Sequence, residues 1–282
     1  MRIGRLETFL LLGGPMLFLG VFFLVPFAMM AFASMQSDDG ALTSSHYVKL
    51  ATDGYYWSVL LLTFEIGAGV SLLTFLLGYP LAYYLTFHVS SPALRRIIYI
   101  ILVTPLFTST IVRAFGWIVM LGRAGLVNQW LRGLGLISQP LDLIYTQTSI
   151  VVSLAYTMLP LMVLAIGSVL QNMNRSLLEA ARDLGANSLT TFLKITFPLS
   201  LPGVVAGSLI VFTLSVSAYV TPSIMSGGRH LVMSMLIYQQ YMVLFDFNFG
   251  AALSILLLVM TLLLITAYVL VLERSGRTTA AP

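Results

Sequence analysis

One short polar stretch between two long apolar runs decides the fold of this chain. It is Ser176-Leu177-Leu178-Glu179-Ala180-Ala181-Arg182-Asp183-Leu184-Gly185-Ala186-Asn187. Ser176 followed three residues later by Glu179 is a capping box, a pattern that begins helices. Gly185 stands where a left-handed residue would end the helix. The stretch therefore predicts a short helix with its own start and stop signals, placed between two membrane spans.

The same stretch predicts an amphipathic helix followed by a second one. Apolar residues fall at i, i+1, i+4 and i+7, which gives one face made of Leu177, Leu178, Ala181 and Leu184. A second face then comprises Leu189, Phe192, Leu193 and Thr196, before Pro198 and Pro202 break the pattern. We expect the apolar side of this helix–turn–helix to rest against neighbouring spans, which leaves its polar side free for a soluble partner.

The composition indicates an integral membrane protein. Of the 282 residues, 59% are hydrophobic and 9% are charged, and the mean hydropathy is +0.97. A soluble domain carries about 25% charged residues. Several apolar runs exceed the ~20 residues that cross a bilayer, and the alternation typical of barrel strands is absent, so we expect helical spans. The sequence has no cysteine, which excludes disulfides and thiolate sites.

We predict an all-α integral membrane protein, a single transmembrane domain over residues 1–282 with six spans. The predicted spans are 8–33, 59–87, 97–121, 146–170, 201–221 and 250–272, and the polar loop is 171–197. The first apolar run is too long for a signal-peptide core, so we interpret it as a retained span. Leu126–Leu134 suggests an amphipathic surface helix, and Leu231–Met242 suggests a further interfacial or re-entrant helix.

The basic residues predict the orientation of the chain. Six spans place both termini and the loops after the second and fourth spans on one side. That side holds nine of the Lys and Arg residues, and the other side holds four. Because cytoplasmic loops carry the excess of Lys and Arg, we expect both termini and the polar loop in the cytosol. The net charge of +4 is modest, and no nucleic-acid partner is expected.

The polar stretch resembles the EAA loop of ABC importer permeases. Glu179-Ala180-Ala181 is followed by three residues and Gly185, then by nine residues and Ile195, then by one residue and Phe197-Pro198. The family has Leu before this proline, so Phe197 is the departure. Other segments are similar to the spermidine/putrescine branch, which uses two different permease subunits: Arg113–Trp117, Asn128 and Leu178–Gly185.

This resemblance implies the type I ABC importer permease fold and a coupling role for the loop helix. The implied contacts with a cytoplasmic ATPase come from Glu179, Ala180, Ala181, Arg182, Asp183 and Gly185. The implied partners are a second homologous permease, two ATP-binding subunits that hold ATP and Mg, a periplasmic substrate-binding protein and membrane lipid. The implied location is the bacterial inner membrane. From the residues alone, an amphipathic turn with a purely topological role stays open.

The resemblance also implies a substrate, a polyamine or a related cationic amine. Related permeases carry iron, thiamine, phosphonates or amino-acid derivatives, and these remain alternatives.

Two charged residues fall inside the predicted spans, Glu65 in the second and Arg113 in the third. At 1.5 Å per residue, each lies about 10–12 Å below the outer end of its span. Charges within spans are rare, and they are paired or functional. One interpretation pairs these residues with each other, or each with a neighbouring subunit. In the other, Glu65 faces the pathway and meets a cationic substrate.

Other polar residues widen the set of candidates for the pathway. The full set is Glu65, Thr108, Arg113, Tyr156, Ser215 and Tyr219. The fifth span is rich in small and hydroxyl residues, including Gly207 and Ser208. Such residues favour close helix packing in a bilayer, and the lining of an aqueous path is the alternative.

The sequence offers no catalytic or metal site. His46, His88 and His230 are scattered in loops or at span ends, without the spacing of metal ligands. The Gly-x-x-x-x-Gly-Lys-Ser/Thr phosphate loop is absent, so we expect no cofactor in this chain and no ATPase of its own. An integral-membrane enzyme would need a polar cluster, and a secondary transporter would need inverted repeats with a coupling acid. Neither is visible.

Overall fold

The computed structural model describes residues 13–37 and 39–278, with the side chains of all of these except residues 182 and 272–278. Within them the chain is helical, with one isolated bridge between Gln36 and Leu42. We number the helices α1 (Gly13–Ala33), α2 (Ser45–Thr52), α3 (Gly54–Phe87), α4 (Pro92–Val103), α5 (Thr110–Leu121), α6 (Leu126–Gly133), α7 (Gln147–Gln171), α8 (Ser176–Asp183), α9 (Ser188–Val216), α10 (Val220–Met225), α11 (Met233–Gln239) and α12 (Phe247–Thr278).

Six segments of the described chain are long and apolar enough to cross a membrane. They are Gly13–Ala33, Gly54–Phe87, Thr110–Gly133, Gln147–Gln171, Ser188–Val216 and Phe247–Val271. The predicted class, six helical spans with a short helix between the fourth and the fifth, is confirmed. Residues 8–12 of the predicted first span lie outside the described residues. Helices are present where a surface helix and a re-entrant helix are predicted, as α6 and as α11 followed by the π turn Gln240–Leu244, and their placement in the membrane stays a prediction.

The chain divides into two compact units. The first comprises Met1–Ser58 and Leu236–Leu264, and the second comprises Val59–Met235 and Ile265–Pro282. In the first unit, the buried ring of Phe249 meets Tyr56 edge to face at 5.4 Å, and Lys49 Nζ lies 4.3 Å from its centroid. These contacts hold α2 and the start of α3 against the start of α12.

In the second unit, α3, α7 and α9 form the core, and they approach closely where glycine leaves out a side chain. A Cβ on Gly203 of α9 would lie 2.9 Å from the carbonyl oxygen of Ala165, and one on Gly207 would lie 2.8 Å from Met162 Sδ. On α3, a Cβ at Gly78 would lie 3.1 Å from Met162 Cγ. The predicted packing role of Gly207 is therefore confirmed, and small residues bring the three helices together.

The third predicted span, 97–121, is not one helix. α4 continues into the 3₁₀ turn Thr104–Phe107, and α5 begins at Thr110. Between them Thr108 is extended, with φ −92° and ψ 142°, and Ser109 has ψ 131°. Pro105 in the 3₁₀ turn provides a reason, because proline has no N–H and its ring crowds the preceding turn. The hydroxyl residues Thr108, Ser109 and Thr110 lie at the break, but spanning helices tolerate such residues, so the sequence pattern alone does not predict it.

The fifth predicted span, 201–221, has other bounds. α9 runs from Ser188 to Val216 without interruption, with a π turn at Phe192–Thr196. Pro198 lies in the first turn of the α-helical part and Pro202 lies inside it, so neither ends the helix. Spanning helices tolerate proline because neighbouring helices and side chains satisfy the freed backbone groups.

Candidate functional site

The start of α8 is capped by Asn174 and not by Ser176. The side-chain Oδ1 of Asn174 accepts hydrogen bonds from the backbone N–H of Ser176 at 3.0 Å and from its hydroxyl at 2.9 Å. Ser176 therefore lies inside the first turn, and the predicted capping box with Glu179 is wrong. The physical reason is that Asn is as good a cap as Ser, and it comes two residues earlier.

The end of α8 is the predicted left-handed turn. Gly185 has φ +78°, and the N–H of Ala186 donates to the carbonyl oxygen of Ala181 at 2.9 Å. This six-to-one bond is the signature of a Schellman motif. Asn187 then caps α9 by accepting from the N–H of Thr190 at 2.8 Å. The predicted stop signal at Gly185 is confirmed. The Schellman motif at the end of α8 and the Asn187 cap of α9 together fix the turn between the two helices.

The apolar face predicted for α8 is divided in the structure. Ala181 is buried, at 6% exposure, and Leu178 is half-buried. Leu184 is 88% exposed because α8 ends at Asp183, so Leu184 belongs to the turn and not to the helix face. Leu177 lines a groove of about 360 Å³ between the end of α7 and α9. The predicted single apolar face is therefore wrong.

The coupling residues inferred from the EAA resemblance lie mostly on the outer surface of α8. Glu179, Ala180, Asp183 and Gly185 are exposed, whereas Ala181 faces the rest of the chain. The side chain of Arg182 lies outside the described residues. The surface offered to a partner thus combines two acidic groups, one small residue and the leucine of the turn. Such a surface suits docking in a groove that has both apolar and basic groups.

The second predicted face, on α9, also differs from the expectation. Leu189 and Leu193 are exposed, Phe192 is half-buried and Thr196 is buried. The π turn changes the angular spacing of these residues, so a 3.6-residue period no longer places them on one side.

Aromatic rings connect the start of α9 to α3. The Tyr79 ring lies 5.8 Å from Phe192 and 5.7 Å from Phe197, and the Tyr83 ring lies 5.6 Å from Phe192. Phe197, the departure from the EAA pattern, therefore contributes a ring to this cluster. The Tyr79 hydroxyl also lies 2.8 Å from Ser200 Oγ. No local pattern predicts these contacts, because the residues are more than a hundred positions apart in the chain.

Arg113 bridges the break in the third span. Its Nη1 donates to the carbonyl oxygen of Pro105 at 2.5 Å, and its Nη2 donates to Thr110 Oγ1 at 2.9 Å. Thr108 also donates to the carbonyl oxygen of Thr104, at 3.3 Å. These side chains add hydrogen bonds across the break, where the carbonyl oxygen of Pro105 also accepts from the backbone N–H of Thr108 at 3.3 Å.

Glu65 does not pair with Arg113. Its Oε2 accepts from Gln147 Nε2 at 3.4 Å, and its side chain is exposed. Gln147 is the first residue of α7, so Glu65 lies level with the N-terminus of that helix. In the described part of the chain, the ion pair found is Arg123 with Asp142, and the predicted pair of Glu65 with Arg113 is wrong. Pairing of either residue with a neighbouring subunit stays a prediction.

The other pathway candidates fall into two groups. Thr108 and Arg113 lie near the start of α5, and Tyr156 of α7 packs edge to face on Trp117, one turn beyond Arg113, at 5.7 Å. Ser215 is buried at the end of α9, and Tyr219 precedes α10. Their role in a pathway stays a prediction.

The loop between α5 and α7 is held by Asn128 and by an ion pair. Asn128 is buried, and it donates to the carbonyl oxygens of Gly122 and Leu141, at 3.0 Å each, and accepts from the N–H of Leu141. Next to it, both carboxylate oxygens of Asp142 accept from Arg123, at 2.5 and 2.7 Å. This bidentate bond lowers the pKa of Asp142 below its usual value. Asn128 therefore has a structural role in closing this loop.

Among the residues the structure describes, no group of three or more His, Cys, Asp or Glu side chains could hold a metal ion.

The described part of the chain thus has six apolar segments of spanning length and a capped, exposed helix between the fourth and the fifth. The chain belongs to the family described as "Binding-protein-dependent transport system inner membrane component", whose model matches residues 74–277 and so includes α8. It is therefore a multi-pass inner-membrane transport subunit and not an enzyme.

Curated relatives agree with this assignment. The chain is 33% identical over 227 residues to the spermidine/putrescine transport system permease protein PotB of Escherichia coli (strain K12), covering 80% of this chain and 81% of the relative. It is 30% identical over 254 residues to PotB of Haemophilus influenzae, covering 88% and 87%. It is 25% identical to the inner membrane ABC transporter permease protein YdcU of E. coli, covering 96% and 90%.

Solved structures share the fold. A bacterial ABC transporter for the acidic polysaccharide alginate matches with a TM-score of 0.74 at 18% identity, covering 97% of this chain and 96% of that chain. The MetNI methionine ABC transporter matches with a TM-score of 0.57 at 19% identity, covering 85% and 100%. The predicted type I ABC importer permease fold is confirmed.

Proposed function

We propose that this chain forms half of the translocation path of an ATP-driven importer for spermidine, putrescine or a related cationic amine. The observation that carries this proposal is the 33% identity to PotB over 80% of the chain. A carboxylate in the path would attract a cationic amine, and Glu65 is an exposed carboxylate on a spanning helix.

The proposed assembly has four kinds of subunit. This chain pairs with a second homologous permease, two ATP-binding subunits hold ATP and Mg, and a periplasmic binding protein delivers the substrate. Both termini and α8 face the cytosol, which the nine-to-four distribution of Lys and Arg supports. ATP-driven closure of the ATPase pair moves α8, and the permease pair then alternates between inward-open and outward-open states.

The exposed surface of α8 supports the coupling role. Glu179, Ala180, Asp183 and Leu184 are available to a groove on the ATPase, and Gly185 fixes the end of the helix.

The test is uptake by the complex in proteoliposomes. The native complex is isolated by a tag on this chain, reconstituted with ATP inside, and supplied with its binding protein and labelled spermidine or putrescine. We expect ATP-dependent uptake that unlabelled polyamines inhibit and that ferric iron, thiamine and phosphonates leave unchanged. Uptake of one of those solutes in place of the amine would contradict the proposed substrate. Isolation of this chain without an ATPase would contradict the importer assembly.

A further inference from the structure

A directional chain of hydrogen bonds joins α3 to the start of α9. Tyr79 and Ser200 are buried, at 6% and 0% exposure, and their hydroxyl oxygens lie 2.8 Å apart. Ser200 Oγ also lies 2.8 Å from the carbonyl oxygen of Phe197, which can only accept. Because Ser200 has a single hydroxyl hydrogen, it donates to Phe197, and the Tyr79 hydroxyl must donate to Ser200.

This bond lies in the part of α9 where the helix has the fewest backbone hydrogen bonds of its own. Pro198 and Pro202 have no N–H, so each removes one donor from the helix. The π turn Phe192–Thr196 directly precedes them. Prolines and π turns are the places where helices bend. Residues 192–202 are thus the segment of α9 that bends most easily, and it connects α8 with the spanning part of α9.

Tyr79 holds this segment by two independent contacts. Its ring lies against Phe192 at the start of the π turn and against Phe197 directly after it. Its hydroxyl reaches Ser200 one turn later. Tyr83 provides a contrast, because its ring also contacts Phe192 but its hydroxyl makes no hydrogen bond in the part of the chain that the structure describes.

We propose that Tyr79 is a positioning residue for coupling. Its hydroxyl holds the flexible start of α9 against α3, so a displacement of α8 moves α3 and α9 together and does not bend α9 at its prolines. This inference rests on the proposed function, in which α8 receives the motion of the ATPase. Without the hydroxyl, part of that motion is lost in bending, and ATP is hydrolysed with less substrate carried.

The experiment measures uptake and ATP hydrolysis in the same proteoliposomes for Tyr79→Phe, with Tyr83→Phe as the matched control. Tyr79→Phe keeps the ring contacts and removes only the hydroxyl. We expect substrate carried per ATP to fall about two- to tenfold, the range set by one hydrogen bond. Tyr83→Phe should keep the wild-type ratio. Ser200→Ala removes the same bond from the other side, so it should lower the ratio as well, and the double variant should lose no more than Ser200→Ala alone.

Two results would overturn the proposal. One is an unchanged ratio of uptake to hydrolysis in Tyr79→Phe, whether both rates stay at the wild-type level or fall together as a structural defect would make them. The other is an equal fall in Tyr83→Phe.

A second measurement needs no substrate, so its failure is distinguishable from failure of the proposed function. Amide hydrogen exchange of the intact purified complex reports opening of the α9 backbone. Tyr79→Phe should speed exchange at residues 199–203 relative to Tyr83→Phe, while exchange in α7 stays unchanged. Equal exchange at residues 199–203 in the two variants would contradict the holding role of the hydroxyl, whatever the transported solute is.

Discussion

The backbone N–H of Ala186 donates to the carbonyl oxygen of Ala181 at 2.9 Å, across a left-handed Gly185. This one bond ends α8 and sets the direction in which the chain enters α9. The orientation of the coupling surface therefore depends on a backbone conformation that glycine adopts readily and other residues do not.

Gly185→Ala should impair coupling through backbone strain. The added Cβ has open space, so the cost comes from φ +78° alone and is about 1–2 kcal/mol. We expect less uptake per ATP, measured in proteoliposomes, with a normal amount of the chain in the membrane. Gly133→Ala is the control, because Gly133 also has open space around an added Cβ and lacks a left-handed backbone. Equal losses in both variants would argue against a role for this turn.

Leu184→Ser should weaken binding of the ATPase without unfolding the chain. Leu184 is almost fully exposed, so its loss costs the isolated subunit little. If the ATPase covers it, the loss is about 1.5–3 kcal/mol of association free energy. The measurement is the amount of ATPase that co-purifies at rising salt and detergent. Leu189→Ser, at a neighbouring exposed leucine on α9, is the control, and an identical ATPase yield from the two variants would count against docking through Leu184.

Glu65→Gln should raise the KM for polyamine uptake. The carboxylate is exposed on α3 and supplies a negative charge for an ammonium group, whereas the amide of the same shape supplies none. The ATP hydrolysis of the complex without substrate should stay unchanged. Gln147→Ala, which removes the hydrogen-bond partner and keeps the charge, is expected to have the smaller effect. A KM that is the same in Glu65→Gln and wild type would exclude Glu65 from the path.

Exchanging the two charges should not restore function. In Glu65→Arg combined with Arg113→Glu, the carboxylate at position 113 faces the carbonyl oxygen of Pro105, two acceptors with no proton between them. The double variant should therefore be recovered in lower amount than Glu65→Arg alone, as measured by size-exclusion chromatography. Full recovery of assembly and uptake would show that the two residues form a pair in the transporter.

Acid should open the loop that Arg123 and Asp142 close. The bond to Arg123 lowers the pKa of Asp142, so its stabilising effect is present above the unfolded pKa of about 3.9 and is lost as the pH falls through the lower folded value. Amide exchange of residues 122–142 should rise in that acidic window in the wild type. In Asp142→Asn the same rise should be absent. An identical pH profile for both would contradict the role of this ion pair.

Much of the fold followed from composition and local patterns. Long apolar runs predict spans because a bilayer requires them, and Gly185 predicts the end of α8 because few residues take a positive φ. The capping residue of α8 differs from the prediction because Asn174 and Ser176 are both good caps, and only the hydrogen bonds decide between them.

The errors arose where tertiary contacts override a local rule. Pro198 and Pro202 look like helix stops, yet α9 continues through them because α3 and α7 pack against it. Pro105 is the opposite case, in which a local rule holds, because the helix changes to a 3₁₀ turn at this proline and breaks after it.

The candidate site was predictable only in part. The family pattern placed α8, but the partner of Glu65 is 82 residues away in sequence, and no spacing rule connects them. The same holds for Tyr79 and Ser200, separated by 121 residues.

The guanidinium of Arg113 connects the two sides of the break in the third span, through its hydrogen bonds to Pro105 and Thr110. For the proposed cationic cargo, we expect the positive charge of Arg113 to disfavour passage beside this break and the carboxylate of Glu65 on α3 to attract it.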